Sequence, residues 1–182
     1  DGKFDWEKAY VAGSDGNILR KTFRDIRETA TTLGPYDITI EHECYDVGLL
    51  LNLKSCMQTG MFNAPVFIQF VMGIFGGIGA DVETFVCLKK IADKLVGDSC
   101  RRSVLAVGAA QIPMAKTASR IGGHVRVGRE NSLFISRGEP AQSNAQLVAK
   151  IRSIVEALGM EVAVPDAVRE ILDLKGGNRV AL

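Results

Sequence analysis

Two short segments concentrate ionisable side chains at the spacing of extended strands. The first is Gly122-Gly123-His124-Val125-Arg126-Val127-Gly128-Arg129-Glu130-Asn131. Side chains alternate along a strand, so His124 and Arg126 share one face while Val125 and Val127 share the other. The valines suit packing beneath helices, which leaves a His and an Arg on the opposite face. An inward Arg needs an anionic partner, because its charge is not lost by deprotonation. Glu130, just past the strand end, is one candidate and a substrate carboxylate is another. An Arg126–Glu130 ion pair that only holds a loop satisfies the same spacing. The second segment is Glu41-His42-Glu43-Cys44-Tyr45-Asp46. Glu41 and Glu43 point to one face, and two like charges so placed raise each other's pKa unless a cation sits between them. That suits general-base work or metal coordination, although an edge strand with solvated acids has the same pattern. His42 falls on the other face and reads as a structural histidine.

A third feature is the loop Gly73-Ile74-Phe75-Gly76-Gly77-Ile78-Gly79 ahead of a helix. Backbone N–H groups of such a loop, at Gly76 and Gly77, can cradle a phosphate. It is not the dinucleotide fingerprint, since Val82 stands where the third glycine belongs. A tight strand-to-helix turn explains it equally well.

Alternating short apolar runs and longer amphipathic stretches must position these groups. Thr22 to Leu33 reads as a helix stopped by Gly34-Pro35, and Asp37 to Cys44 as a strand. Val47 to Met57 reads as a helix. Val66 to Met72 is apolar enough to be a buried parallel strand. Asp81 is placed to cap a helix running to Val96. Ser103 to Val107 and His124 to Val127 read as strands, with a helix from Pro113 to Ile121 between them. A polar loop from Arg129 to Ala141 leads to a helix from Asn144 to Leu158, and Pro165 to Leu172 is a last short helix. Four strands interleaved with helices predict an α/β fold with a parallel sheet. Two architectures fit: a small doubly wound, flavodoxin-like sheet, and half of an eight-stranded TIM-type βα barrel, which typically needs ~250 residues. Both place functional residues at the carboxyl ends of the strands, and periodicity does not choose between them.

The 182 residues are 47% hydrophobic and 24% charged, with a net charge of +1. These are globular proportions and exclude a disordered chain. Near-neutral charge gives no case for a nucleic-acid or membrane partner, and no apolar run reaches the ~18 residues of a membrane span. The start has no signal-peptide pattern. Four widely spaced cysteines without a CxxC fit a reduced, cytoplasmic setting. His42 and His124 are the only histidines, so the chain by itself does not supply a three-histidine metal site.

The segments NILRKTFRDI, IEHECYDVG, PVFIQFVMGIFGGIGA, SVLAVGAAQIP, GGHVRVGRENSLF, SNAQLV and EVAVPDAVREIL together resemble the β-keto acid cleavage enzymes. GGHVRVG and its spacing to SNAQLV are specific. The resemblance runs from about Asn17 onward and covers only the second half of the family's sequence. It implies that residues 1–182 are one unit, the C-terminal half of a TIM-type βα barrel. It also implies a zinc-dependent (or other divalent-metal) enzyme that cleaves a 3-keto acid with acetyl-CoA, giving acetoacetate and a new CoA ester. By the same resemblance, Glu130 is a metal ligand beside two histidines of an HxH motif, a motif this chain lacks. Arg126 is then a catalytic residue and Glu43 an active-site carboxylate. The chemistry suits these types: a cation stabilises an enolate and a carboxylate moves protons at carbon.

Two positions depart from the family. Asn131 stands where an Asp is usual, and an amide does not accept a proton. Arg129 stands where an apolar residue is expected. A non-catalytic paralogue or binding module therefore remains a rival, as does a nucleotide-binding domain using the Gly73–Gly79 loop. Half a barrel also needs completing, by a separate polypeptide, by a second copy, or by a missing part of the same chain. The start at Asp1 without Met favours the last.

Overall fold

The computed structural model describes residues 5–18 and 20–176. The chain divides into two compact units, Asp1–Pro35 and Tyr36–Leu182. The first holds α1 (Asp5–Gly13), which the sequence reading did not anticipate, and α2 (Phe23–Leu33). Thr22 starts α2 with a capping box: its side chain accepts from Asp25 N–H, and the Asp25 carboxylate accepts from Thr22 N–H.

The second unit is built of βα repeats: β1 (Glu41–Cys44), α3 (Val47–Gln58), β2 (Val66–Met72), α4 (Val82–Val96), β3 (Cys100–Ala106), α5 (Gln111–Arg120) and β4 (His124–Val125). The strands pair in parallel in the order β1-β2-β3-β4. Chain order is what consecutive βα units of a barrel produce. A flavodoxin-like sheet places later strands on both sides of an early one, and no such reversal occurs among the described strands. Beyond β4 lie the antiparallel pair β5 (Phe134–Ser136) and β6 (Glu139–Pro140), then α6 (Asn144–Ala157) and α7 (Pro165–Leu172). Among the described residues no helix is long and apolar enough to cross a membrane.

Several boundaries differ from the sequence reading, and the third strand begins at Cys100 and ends at Ala106 rather than running from Ser103 to Val107. The first strand begins at Glu41 rather than Asp37, because Gly34–Tyr36 forms a tight 3-10 turn and Asp37 follows with φ of 53°. The fourth ends at Val125 rather than Val127. Arg126 N–H still donates to Val104 O, but Gly128 N–H turns away to the Gln111 side chain. The polar loop expected from Arg129 to Ala141 contains the β5–β6 hairpin.

Asp81 caps its helix as expected, and Asp46 and Ser143 do the same at two others. Asp81 accepts from Thr84 N–H at the start of α4, Asp46 from Leu49 N–H at α3, Ser143 from Gln146 N–H at α6, and Pro165 opens α7. The core lies on one side of the sheet. Val66, Ile68, Phe70 and Met72 of β2, with Val104 and Ala106 of β3, bury against Leu50 and Leu53 of α3, Phe85 and Leu88 of α4, and Met114 of α5.

Candidate active site

The face of the sheet opposite that core carries the ionisable residues. Pairing register aligns Glu43, Gln69, Ser103 and His124 across all four strands, with Glu41 and Phe67 one row nearer the amino ends. Gln69 and Ser103 are buried and satisfy each other, the Ser103 hydroxyl donating to Gln69 Oε1 at 2.7 Å. These four positions and Arg126 border a cavity of about 580 Å³, save for Glu43, which lies at its edge through Arg126. The segment around α7 lines the same cavity and closes it toward the amino ends of the strands. Arg101 Nε donates to Ile171 O at 3.1 Å, and Thr39 Oγ1 to Asp173 O at 3.3 Å.

Arg126, immediately after β4, gathers three carboxylates. Its guanidinium lies 3.5 Å from Glu41 and 3.3 Å from Glu43 and is hydrogen-bonded to Glu130. β1 and β4 are the outer strands of the sheet. In a flat sheet they would stand ~14 Å apart. The Arg126 and Glu43 side chains therefore lie toward each other over β2 and β3, an arrangement that a concave face favours. The Arg126 side chain is 40% exposed and that of Glu130 61%, and such exposed pairs contribute little to stability. One guanidinium against Glu41, Glu43 and Glu130 leaves a formal charge of about −2 in the cluster. Burial raises the Glu41 pKa and Glu43 adds to this, while Arg126 opposes it. Glu130 and its hydrogen bond hold Arg126 more firmly in the charged form.

Tyr45 was not singled out in the sequence, yet its hydroxyl donates to Glu43 Oε2 at 2.5 Å. That bond is the main reason its phenol is pushed up to about 12. The only sequence signal was its place two residues after Glu43, at a strand end. Asp46, the last residue of the same segment, caps α3 by accepting from Leu49 N–H. His42 packs edge-on against Phe62 on the core side, and burial lowers its pKa to about 4. It is a neutral structural histidine. His124 shares the cavity with Arg126, as alternation required, and burial lowers its pKa as well.

The glycine loop folds onto the end of β1. Gly77 N–H donates to Ile74 O at 3.2 Å, and Ile78 N–H to Tyr45 O at 2.8 Å. A Cβ on Gly77 would sit 3.2 Å from Tyr45 O and 3.0 Å from the Ile74 side chain. Glycine is therefore required at 77 by the loop's approach to the strand that carries Glu43. Gln111, also unremarked in the sequence, pins the loop after β4 by accepting from Gly128 N–H at 2.7 Å. Asn131 is held by its backbone, its carbonyl accepting from Gly108 N–H at 2.7 Å.

A metal centre held by protein side chains needs about three converging donors. Among the described residues no group of three His, Cys, Asp or Glu side chains converges as a metal centre. The three carboxylates gather around a guanidinium instead. These residues alone do not fit a metal site.

A family model described as beta-keto acid cleavage enzyme matches residues 3–174. The chain belongs to the beta-keto acid cleavage enzyme family. It is 39% identical over 174 residues to a 3,5-dioxohexanoate:acetyl-CoA acetone transferase of Paraburkholderia graminis, covering 96% of this chain and 56% of that protein. It is 36% identical over 137 residues to a 3-keto-5-aminohexanoate cleavage enzyme of Acetoanaerobium sticklandii, covering 74% of this chain and 48% of the relative. A 3-oxoadipate:acetyl-CoA acetyltransferase of Cupriavidus necator is 29% identical over 145 residues, 80% of this chain and 51% of the relative. The chain thus spans about half the length of the curated relatives it matches. The printed names of these family members share acetyl-CoA or a keto acid and differ in the rest of the substrate.

Proposed function

We propose that the whole protein transfers the carboxymethyl group of a 3-keto acid to acetyl-CoA, and that this chain is the C-terminal half of its βα barrel. The Arg126 cluster carries the reading: an Arg placed among Glu41, Glu43 and Glu130 over the open face of a sheet in barrel order. Family membership supplies the reaction class. The remaining strands would come from the rest of the same chain, a separate polypeptide or a second copy. A cytoplasmic setting follows from acetyl-CoA as co-substrate.

The reaction balances without an oxidant. A proton leaves C2 of the keto acid, and C2 forms a bond to the acetyl carbonyl carbon. The acetyl carbon–sulfur bond breaks and releases the CoA thiolate. The thiolate then adds to the original keto carbon, the bond from that carbon to C2 breaks, and the acetoacetate enolate takes up a proton. Glu43, held by Tyr45, takes and returns the C2 proton. Arg126 stabilises the negative charge that develops on oxygen. Gly76 and Gly77, in the loop that folds onto the end of β1, are assigned as backbone surface beside the thioester.

A cluster with a formal charge near −2 is a poor seat for an anionic keto acid. A second cation must therefore relieve it. Glu130 is assigned as the one carboxylate this chain gives to a divalent metal, zinc in the first instance, completed by ligands outside the chain.

Asn131 favours a second reading, a family member that binds the keto acid without turning it over, since an amide does not take a proton. A coupled assay of the full-length protein with acetyl-CoA and a panel of 3-keto acids decides between them. Acetoacetate and a new CoA ester should form with at least one acid. Keto-acid binding without either product would establish the second reading. Elemental analysis of the same preparation should find a divalent metal that is lost on Glu130→Ala, and retention of the metal would remove Glu130 from the ligand set.

A further inference from the structure

Beyond Glu130 the β5–β6 hairpin and α5 enclose a second cleft, of about 850 Å³. It shares Glu130 with the mouth but otherwise has a different character. Three cations line it, Arg129, Arg137 and Lys150. None has a carboxylate partner among the described residues. Among the described residues Arg129 Nη1 reaches only Gln142 O, at 3.5 Å, Lys150 Nζ donates to Ile135 O, and Arg137 makes no side-chain hydrogen bond or ion pair. The nearby acids are already engaged, Glu130 by Arg126 and Glu139 by the Ser136 hydroxyl. Between the cations the wall is apolar, and Leu133 and Phe134 are more than half-exposed or half-exposed there.

Two buried amide donors lie against this cleft without partners, Gln111 Nε2 and Asn131 Nδ2. Gln111 is 2% exposed. Its oxygen is committed to Gly128 N–H, so turning the amide over would only exchange one unsatisfied group for another. A buried donor without a partner is unfavourable. Both residues line the cleft, and a small turn of either amide toward it would give an entering acceptor the donor that the fold leaves unpartnered.

We propose that this cleft binds the pantetheine and phosphate arm of the CoA thioester. The inference rests on the proposed reaction and adds where its co-substrate lies. The arm has two amide carbonyls to meet unpartnered amide donors, an aliphatic body to cover an apolar wall, and phosphates to meet unpaired cations. An Arg fork bonds a phosphate in bidentate fashion. Placing the arm against Glu130 sets the thioester at the Arg126 cluster. Arg129, which departs from the apolar residue expected in the family, then becomes part of the phosphate seat rather than an anomaly.

The test is Arg137→Glu in the full-length protein, with steady-state kinetics against acetyl-CoA and against acetyl-pantetheine, which lacks the phosphates. The KM for acetyl-CoA should rise at least ~10-fold, and the rise for acetyl-pantetheine should be much smaller. Arg137→Lys should recover most of the loss. Equal effects on the two thioesters, or no effect on either, would overturn the subsite, as would a loss confined to a substitution in the Gly73–Gly79 loop. If the wild-type protein turns over no keto acid, the reaction is wrong but the subsite is still tested. Calorimetric binding of free CoA should then weaken at least ~10-fold with Arg137→Glu, and unchanged CoA binding would overturn the subsite independently.

Discussion

The two faces of the parallel sheet are made from alternate residues of the same strands and do opposite work. On the helix side Ile68, Phe70 and Met72 have no solvent exposure, and Val104 and Ala106 almost none. On the other side Glu43, Gln69, Ser103 and His124 stand in register, with Glu41 and Arg126 beside them. The first face gains its free energy from area removed from water, about 25 cal/mol per Å². The second holds half-exposed ion pairs worth at most about 1 kcal/mol each. Apart from Val71 and Leu105, which are buried on the polar side, stability and chemistry are divided by a period of two, and substitutions one residue apart should fail in different ways.

The largest effect is expected on the core face. Phe70 is buried against Phe85, ring centroids 6.0 Å apart. Phe70→Ala should cost about 3–5 kcal/mol of stability, read as the urea midpoint at constant m-value. A loss under ~1 kcal/mol would show that this face relaxes around the cavity and is not the close-packed core described.

His42 tests the division by pH. Its pKa falls from 6.5 to about 4 on folding, so the unfolded chain binds the proton more readily between those values. Stability from this group is complete above pH 6.5, is lost as pH falls, and reaches its floor near pH 4. By pH 5 the loss should be ~2 kcal/mol. Comparing wild type with His42→Gln isolates the effect, because the raised Glu41, which acts in the opposite sense, is common to both. Parallel stability–pH curves for the two proteins would show that His42 titrates normally and is not buried on the core side.

How far these faces could be read in advance differs between them. VFIQFVM and its neighbours announced the strands, and alternation placed His124 with Arg126 and Glu41 with Glu43. What alternation does not convey is the distance between separate segments. That Arg126 reaches Glu43 across two intervening strands depends on register and on how the sheet curves, both set by packing far from either residue. The β5–β6 hairpin was missed because its strands are three and two residues long, below the length at which a period of two is visible. Gln111 and Tyr45 were missed because each acts through one hydrogen bond to a partner that only the fold brings near. The motif resemblance supplied roles for Glu43, Arg126 and Glu130. Geometry added their convergence on one guanidinium.

On the polar face, Arg126→Lys keeps the charge but loses the fork that meets Glu43 and Glu130 together. Turnover by the full-length protein should fall at least ~10-fold, equivalent to ~1.4 kcal/mol of transition-state stabilisation. The urea midpoint should barely move, because the pairs are half-exposed. Unchanged turnover would return Arg126 to holding a loop against Glu130. A stability loss as large as that of Phe70→Ala would erase the distinction between the faces.

The smallest effect is expected at Tyr45, which acts through Glu43. Tyr45→Phe keeps the ring and removes only the donor to Glu43 Oε2. The carboxylate is then free to rotate away from the substrate proton. Turnover should fall ~3-fold, about 0.7 kcal/mol, with little change in KM for either substrate. The reciprocal substitution separates positioning from packing. The Tyr45 phenol is pushed up to about 12 chiefly by its bond to Glu43, so Glu43→Gln should bring its ultraviolet titration back toward the ordinary value near 10. If the phenol of the Glu43→Gln protein still titrates near 12, burial and not the Glu43 bond sets its environment, and Tyr45 belongs with the core face rather than the polar one.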